Sequence, residues 1–169
     1  MRASNPFLAA VLCLSVLASP SAHCLAMANE FVPERVFAGR SEGRGKLWLM
    51  LGKSRAFTVE SLGTTQADGR LRLEQHVRFD GKVEQSRTWV MWQTSPGRYS
   101  ATLTDAAGPV VGRTQRSRMT LHYPLNRWGL AMHQTMDLAK DRQSIDNVGT
   151  IRFLGIPIGK LRETIHLKQ

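Results

Sequence analysis

The sequence predicts an all-β protein, an antiparallel up-and-down barrel of nine or ten strands. Short runs of alternating apolar and polar residues fill the chain beyond residue 40, and turn signals separate them. Little of that length carries the period of a helix. The connections suit hairpins, and a meander of so many strands removes its exposed edges best by closing on itself. Barrels of about eight strands either pack their interior or hold one small ligand.

The 169 residues suffice for one domain with a core, and 42% hydrophobic and 21% charged content is ordinary for a globular chain. Residues 1–28 read as an export signal: Arg2, the apolar run Phe7–Ala18, Pro20, and Ala26-Met27-Ala28 before a cut at Asn29. The run is too short for a permanent membrane anchor. Both cysteines, Cys13 and Cys24, fall within residues 1–28, so the mature chain, residues 29–169, is expected to lack thiol chemistry and disulfides. Acylation at Cys24 is the alternative, but Ser21-Ala22-His23-Cys24 is a poor lipoprotein signal. The expected location is the periplasm.

The strands follow in order. Lys46–Leu51 and Arg55–Leu62 open the barrel, the second with Phe57 and Val59 on one face. Arg70–Phe79 alternates most clearly: Leu71, Leu73, Val77 and Phe79 point one way with Gln75 among them, and Arg70, Arg72, Glu74, His76 and Arg78 the other. Asp80-Gly81 reads as a tight hairpin into Lys82–Thr94, where Val83, Arg87, Trp89 and Met91 share a face. Pro96-Gly97 turns the chain into Arg98–Thr104. Val110–Gln115 and Ser117–Tyr123 follow. Trp128–Leu138 places Trp128, Leu130, Met132, Met136 and Leu138 on one side. Ile145–Phe153 and Ile158–Leu167 close the pattern.

The formal charge is +10, and removing residues 1–28 takes away one of 23 Lys and Arg against 13 Asp and Glu, leaving +9. Such a field attracts anionic surfaces. For an exported protein that partner is a membrane surface, and nucleic acid is not expected. Arg113, Arg116 and Arg118 are the local cluster, with Arg116 and Arg118 expected on one strand face.

With these elements in hand, the chain resembles the bacterial family known as domain of unknown function 3833, exported lipocalin-like proteins. The resemblance rests on Pro33-Glu34-Arg35-Val36-Phe37-Ala38-Gly39-Arg40 with Gly43 and Gly45, then Phe57-Thr58-Val59, Leu71-Arg72-Leu73-Glu74, Phe79-Asp80-Gly81, Arg87-Thr88-Trp89 and Gly97-Arg98-Tyr99. Asp105–Gly108 with Gly112, Met136-Asp137-Leu138 and Gly155–Gly159 complete it. It implies a calycin-like barrel of the cell envelope with no established activity. The Gly-x-Trp signature of true lipocalins is missing, since Gly45-Lys46-Leu47-Trp48 is one residue too long.

No catalytic motif stands out. His76, His122, His133 and His166 show no metal spacing, and His133 and Asp137, four residues apart on one strand face, are about 13 Å apart. There is no Gly-x-Ser-x-Gly elbow and no phosphate-binding glycine loop. No catalytic residue, metal or cofactor is assigned. A carboxylate pair of Asp137 and Glu163 would need the fold to assemble it.

Two charges attract more interest. Glu163 lies between Leu161 and Ile165 on an apolar face, and Arg87 shares a face with Trp89 and Met91. Inside a barrel they must be paired or meet a ligand. Trp89, Tyr99, Met119, Met132 and Met136 are the matching wall residues. Glu34, Arg35 and Arg40 are expected near the barrel entrance. The functional expectation is a non-enzymatic carrier of a small hydrophobic or amphipathic ligand, a fatty acid or lipid, with the tail buried and the anionic head on Arg87 or a rim arginine. The alternatives are an envelope interaction module with a basic surface, which needs a filled barrel and an exposed Arg113–Arg118 patch, and an enzyme acting on a lipid-like substrate, which needs converging polar groups with shifted pKa values in the cavity.

Overall fold

The computed structural model describes residues 30–168 apart from residues 51 and 53. The expected export segment and both cysteines lie outside the described residues. A four-residue helix α1 (Pro33–Val36) precedes ten antiparallel strands: β1 Gly39–Leu49, β2 Arg55–Thr65, β3 Leu71–Phe79, β4 Gln85–Ser95, β5 Arg98–Leu103, β6 Val110–Gln115, β7 Arg118–Pro124, β8 Leu130–Leu138, β9 Ser144–Phe153 and β10 Ile156–Lys168. Each strand pairs with the next, and β1 pairs with β10 from Arg40↔Lys168 to Leu49↔Gly159, closing the barrel.

The strand edges correct several expectations. β1 begins seven residues before Lys46, so the glycine-containing stretch is itself strand. Asp80-Gly81 does not make a two-residue hairpin. β4 starts only at Gln85, and Val83 protrudes from the longer connection. Trp128 is not in β8; Asn126 Oδ1 accepts the amides of Trp128 at 2.9 Å and Leu130 at 3.0 Å and folds residues 126–129 into a turn. Arg116 stands at φ 54 in the β6–β7 turn, so it shares no strand face with Arg118.

Most inward-facing positions are apolar and most outward-facing ones are polar. Leu71, Leu73 and Val77 of β3 are buried, whereas Arg72, Glu74 and Arg78 between them are exposed. This is the reverse of a transmembrane barrel, whose lipid-facing side is apolar. The described residues also contain no helix long and apolar enough to span a membrane.

The two ends of the barrel differ. At one end residues 31–37 form a plug. Phe31 and Phe37 meet edge-on at 5.9 Å, Val36 is buried with them, and the Phe31 amide donates to the Arg116 carbonyl at 2.6 Å. A helix this short is held by such packing, not by its own propensity. The carbonyl of Phe37 occupies the place that a Cβ on residue 63 would take, so only glycine fits there. The other end, ringed by the β1–β2, β3–β4, β5–β6, β7–β8 and β9–β10 connections, has no such plug among the described residues.

Phe31 is fully buried. Phe31→Ala is expected to destabilise the fold by about 3–5 kcal/mol through lost burial and an unfilled void. Urea unfolding followed by intrinsic fluorescence checks it, and a loss within the ordinary surface range, about 0.5 kcal/mol, would show that the plug is not part of the core.

Candidate ligand-binding cavity

Side chains fill the plugged half of the barrel, and the unplugged half is open. The main core runs from Phe31 and Leu71 through Met119 to Ile145. A second apolar group, Phe57, Val59 and Val77 with Leu47, Phe79 and Leu161, stands apart from it on the β1–β3 and β10 wall. Beside this group lies a cavity of about 540 Å³. Ligand sites commonly measure roughly 300–1,000 Å³. The adjoining wall, on β4 and the β5–β6 connection, is polar and carries Gln85, Ser86, Arg87 and Asp105. The width follows from the strand count, because a barrel's diameter grows with the number of strands and about eight already fill their interior.

Below this cavity is a much smaller one of about 40 Å³, near the size of one water. Arg87, Gln134 and Glu163 line both and so form the floor between them. Two hydrogen-bonded groups make this floor. In the first, Tyr123 Oη donates to Gln134 Oε1 at 2.9 Å, Gln134 Nε2 to Asn147 Oδ1 at 3.4 Å, and Asn147 Nδ2 to Glu163 Oε2 at 2.8 Å. In the second, Gln75 Oε1 accepts from Arg87 Nε at 2.9 Å and from Trp89 Nε1 at 2.8 Å, while Gln75 Nε2 donates to Ser61 Oγ at 3.1 Å. Among the described residues no buried side-chain nitrogen or oxygen lacks a partner. A belt this complete avoids the cost of stranded polar groups in a dry interior.

The electrostatics of the floor centre on Glu163, which is 9% exposed. Burial pushes its carboxyl above the usual range, and the Asn147 hydrogen bond and the positive field of Arg87 only partly oppose this. Burial also pushes the Tyr123 phenol up to about 12, so it stays a donor. Arg87 has no tight carboxylate partner: its Nη1 stands 3.9 Å from Asp105 Oδ2, and its guanidinium lies 5.9 Å from the Trp89 ring centre. The cationic group therefore keeps donors facing the cavity.

The structure divides the residues expected to hold a ligand. Arg87, Met132 and Glu163 line the large cavity, and Trp89 and Met136 the small one. Met119 is fully buried in the core and lines neither. Tyr99 sits at the plugged end, where burial raises its phenol to about 12 and Glu34 adds to the effect. Glu34 and Arg35 belong to α1 and Arg40 is exposed at the start of β1, all at the end opposite the cavity mouth. Asp137 is on the outer wall, where it receives Arg118 Nε at 2.6 Å and Nη2 at 3.0 Å, so it does not meet Glu163. That pairing also takes Arg118 out of the expected basic patch.

From the sequence, Gln75 stands on the apolar face of its strand with no assigned role, and Tyr123, Gln134 and Asn147 are not singled out. Their signal was a polar amide in an apolar alternation: Gln134 between Met132 and Met136, and Asn147 in phase with Ile145 and Ile151. A histidine pair on the outer wall also went unread. His122 and His133 are cross-strand neighbours with ring centres 4.2 Å apart, and burial followed by the charge of His122 lowers the pKa of His133. No group of three or more metal-ligating side chains occurs among the described residues.

A closed antiparallel barrel, plugged at one end and hollow at the other, with Arg87 and the buried carboxyl of Glu163 at the floor of the hollow, defines a lipocalin-like protein with room for a small molecule. The chain belongs to the family described as a protein of unknown function, DUF3833, whose model matches residues 11–167. No protein of curated function matches it. Among solved structures it is similar to the S-type phycobiliprotein lyase CPES from Guillardia theta, at 9% identity and a TM-score of 0.64 over 80% of this chain and 90% of that one. It is also similar to a protein of unknown function from the DUF3598 family of Nostoc punctiforme, at 12% identity and a TM-score of 0.59, covering 83% of this chain and 51% of that one. At such identities the likeness is one of fold.

Two measurements test the floor. Asn147→Leu leaves Glu163 Oε2 without its donor and is expected to cost about 1–3 kcal/mol in chemical denaturation. Glu163→Gln keeps an acceptor for Asn147 but cannot ionise. With Glu163 raised above its ordinary 4.5, the unfolded chain ionises first as pH rises. The stabilisation from this group is whole below 4.5 and is lost as pH climbs through the folded value. The stability of Glu163→Gln relative to wild type is therefore expected to increase as pH rises above 4.5; a constant difference would contradict a raised Glu163 pKa.

Proposed function

We propose that this protein binds and carries a small amphipathic molecule bearing an anionic head, a fatty acid or related lipid, in the periplasm. The observation that carries the reading is the cavity of about 540 Å³ with one apolar wall, one polar wall and Arg87 at its floor. The head lies against Arg87, whose guanidinium matches a carboxylate in shape and charge. Burial biases Glu163 beside it toward the neutral form, which lessens its repulsion of an anion. The apolar body lies along Phe57, Phe79, Met132, Ile151 and Leu161. This arrangement places the head deep in the barrel and the tail toward the mouth.

The envelope-module alternative required a filled interior and a free Arg113–Arg118 patch. A hollow barrel and the Arg118–Asp137 pair favour the carrier. One observation favours a second reading: Glu163 is a buried carboxyl in the cavity lining with its pKa raised by burial, and such a group can donate a proton to a bound substrate. Among the described residues no histidine or cysteine lines the cavity to complete a nucleophilic pair.

The first test is native mass spectrometry of protein purified gently from its host. A discrete added mass, lost on denaturation and extractable into organic solvent, supports the carrier and identifies the class of its cargo. Titration with a long-chain fatty acid should then give saturable binding, weakened about ten- to a hundredfold in Arg87→Leu. A bare polypeptide that takes up neither fatty acid nor phospholipid would rule the reading out. A cargo recovered chemically altered by wild type but intact from Glu163→Gln would establish the enzymatic alternative.

A further inference from the structure

The exposed apolar side chains of this protein are not scattered. Most of the large ones crowd one lip of the mouth. Trp128 is 72% exposed, Leu154 70%, Met50 69% and Ile156 62%, with Leu49 and Phe153 beside them. The lip is continuous, because the Leu154 amide donates to the Gly129 carbonyl at 3.0 Å and the Met50 amide to the Ile158 carbonyl at 2.9 Å, tying the β7–β8, β9–β10 and β1–β2 connections together. Monomeric proteins seldom present contiguous apolar surface of this kind without a use for it.

Leu154 adds a second observation. With Gly155 it forms the tip of the β9–β10 hairpin, and both residues have positive φ, 47 and 86. Such a turn favours Asn-Gly, and a leucine there carries backbone strain. Its side chain buries little to offset that strain, since it projects into solvent. An exposed leucine in a strained position points to a surface outside the protein.

Charge names the kind of surface. Segments 43–59, 125–136 and 147–162, which build this lip, contain no Asp or Glu but carry Arg55, Arg127, Arg152 and Lys160. Among the described residues none of these four has a carboxylate partner. Arg127 lies over the Trp128 ring at 5.7 Å. Tryptophan beside arginine suits the headgroup level of a bilayer, where the ring sits at the apolar boundary and the cation reaches phosphate. The acidic residues of this end, Asp80, Glu84 and Asp105, belong to the β3–β4 and β5–β6 connections; Glu84 borders the lip, sharing a groove with Leu49 and Arg55, and pairs with Arg78 at 2.6 Å.

We propose that the apolar, cationic lip of Trp128, Leu154, Ile156, Leu49 and Met50 docks on an anionic phospholipid bilayer. The docking lip is the rim of the cavity, so a seated barrel opens toward the lipid. This inference rests on the carrier reading for its purpose, and it moves the membrane contact from the β6–β7 arginines to the mouth.

The test is cosedimentation of the full chain with vesicles of phosphatidylglycerol and phosphatidylcholine, compared with pure phosphatidylcholine, alongside fatty-acid titration in solution. Wild type is expected to bind the anionic vesicles preferentially, with a blue shift of tryptophan emission, and to lose binding as salt rises. Trp128→Ala combined with Leu154→Asn should weaken vesicle binding about tenfold or more, the size expected for removing an indole and a leucine from an interface. Any contribution of the N-terminal segment cancels in this comparison. Leu154→Asn alone should raise the unfolding midpoint, because asparagine accepts the turn, so weaker membrane binding by that variant cannot come from damage to the fold. Equal binding by wild type and the double variant, or no preference for anionic vesicles, would overturn the proposal even where fatty-acid titration succeeds. Vesicle binding without fatty-acid binding would keep the docking lip and remove the carrier.

Discussion

Pairing of β1 with β10 is the constraint on which the rest depends. It joins the first and last strands over ten residue pairs, from Arg40↔Lys168 to Leu49↔Gly159. Without it the sheet would have two open edges and no interior. The pairing in turn depends on small residues facing inward on β1. At Gly43 a Cβ would run into the Glu163 carboxyl. The first strand thus gives up side chains so that the last can hold a carboxyl inside. On the outer face Lys168 bonds Glu42, and that contact holds the Glu42 carboxyl below its usual range.

Closure with ten strands leaves more room than side chains fill, and the molecule treats its two halves differently. Phe31, Val36 and Phe37 come from outside the barrel to pack one half. The other half is divided between an apolar wall on β1–β3 and β10 and a polar wall on β4 and the β5–β6 connection. Residues of the most recognisable sequence stretch, Glu34 and Arg35, therefore serve the plug and not the cavity. A motif that identifies a family need not mark its site.

The floor between the halves is a polar belt in an apolar tube. Every donor in the Tyr123–Gln134–Asn147–Glu163 chain points toward the carboxyl, so the chain would suit a charged Glu163, yet burial outweighs it and favours the neutral form. Arg87 is held by Gln75 and lies near Trp89 with only a distant carboxylate. Arg87 and Glu163 are thus held by different amides, Gln75 and Asn147, with no salt bridge between them, and this leaves a cationic group available to a ligand.

The sequence by itself determined the all-β class with nine or ten strands, the alternation of the two faces, the family resemblance, and that Arg87 and Glu163 each share an apolar face, because strand periodicity is local: a residue's face follows from its parity. It also held the polar amides in plain view at Gln75, Gln134 and Asn147, but parity cannot say that side chains from four different strands meet. Only the tertiary structure decided that Tyr99 and Met119 lie away from the cavity while Tyr123 lines it, that Arg116 leaves its strand, that Arg118 is spent on Asp137, and that Trp128 and Leu154 share one lip. These depend on strand stagger, turn geometry and the choice of which end the N-terminal segment plugs, and each is set by contacts between residues far apart in the chain.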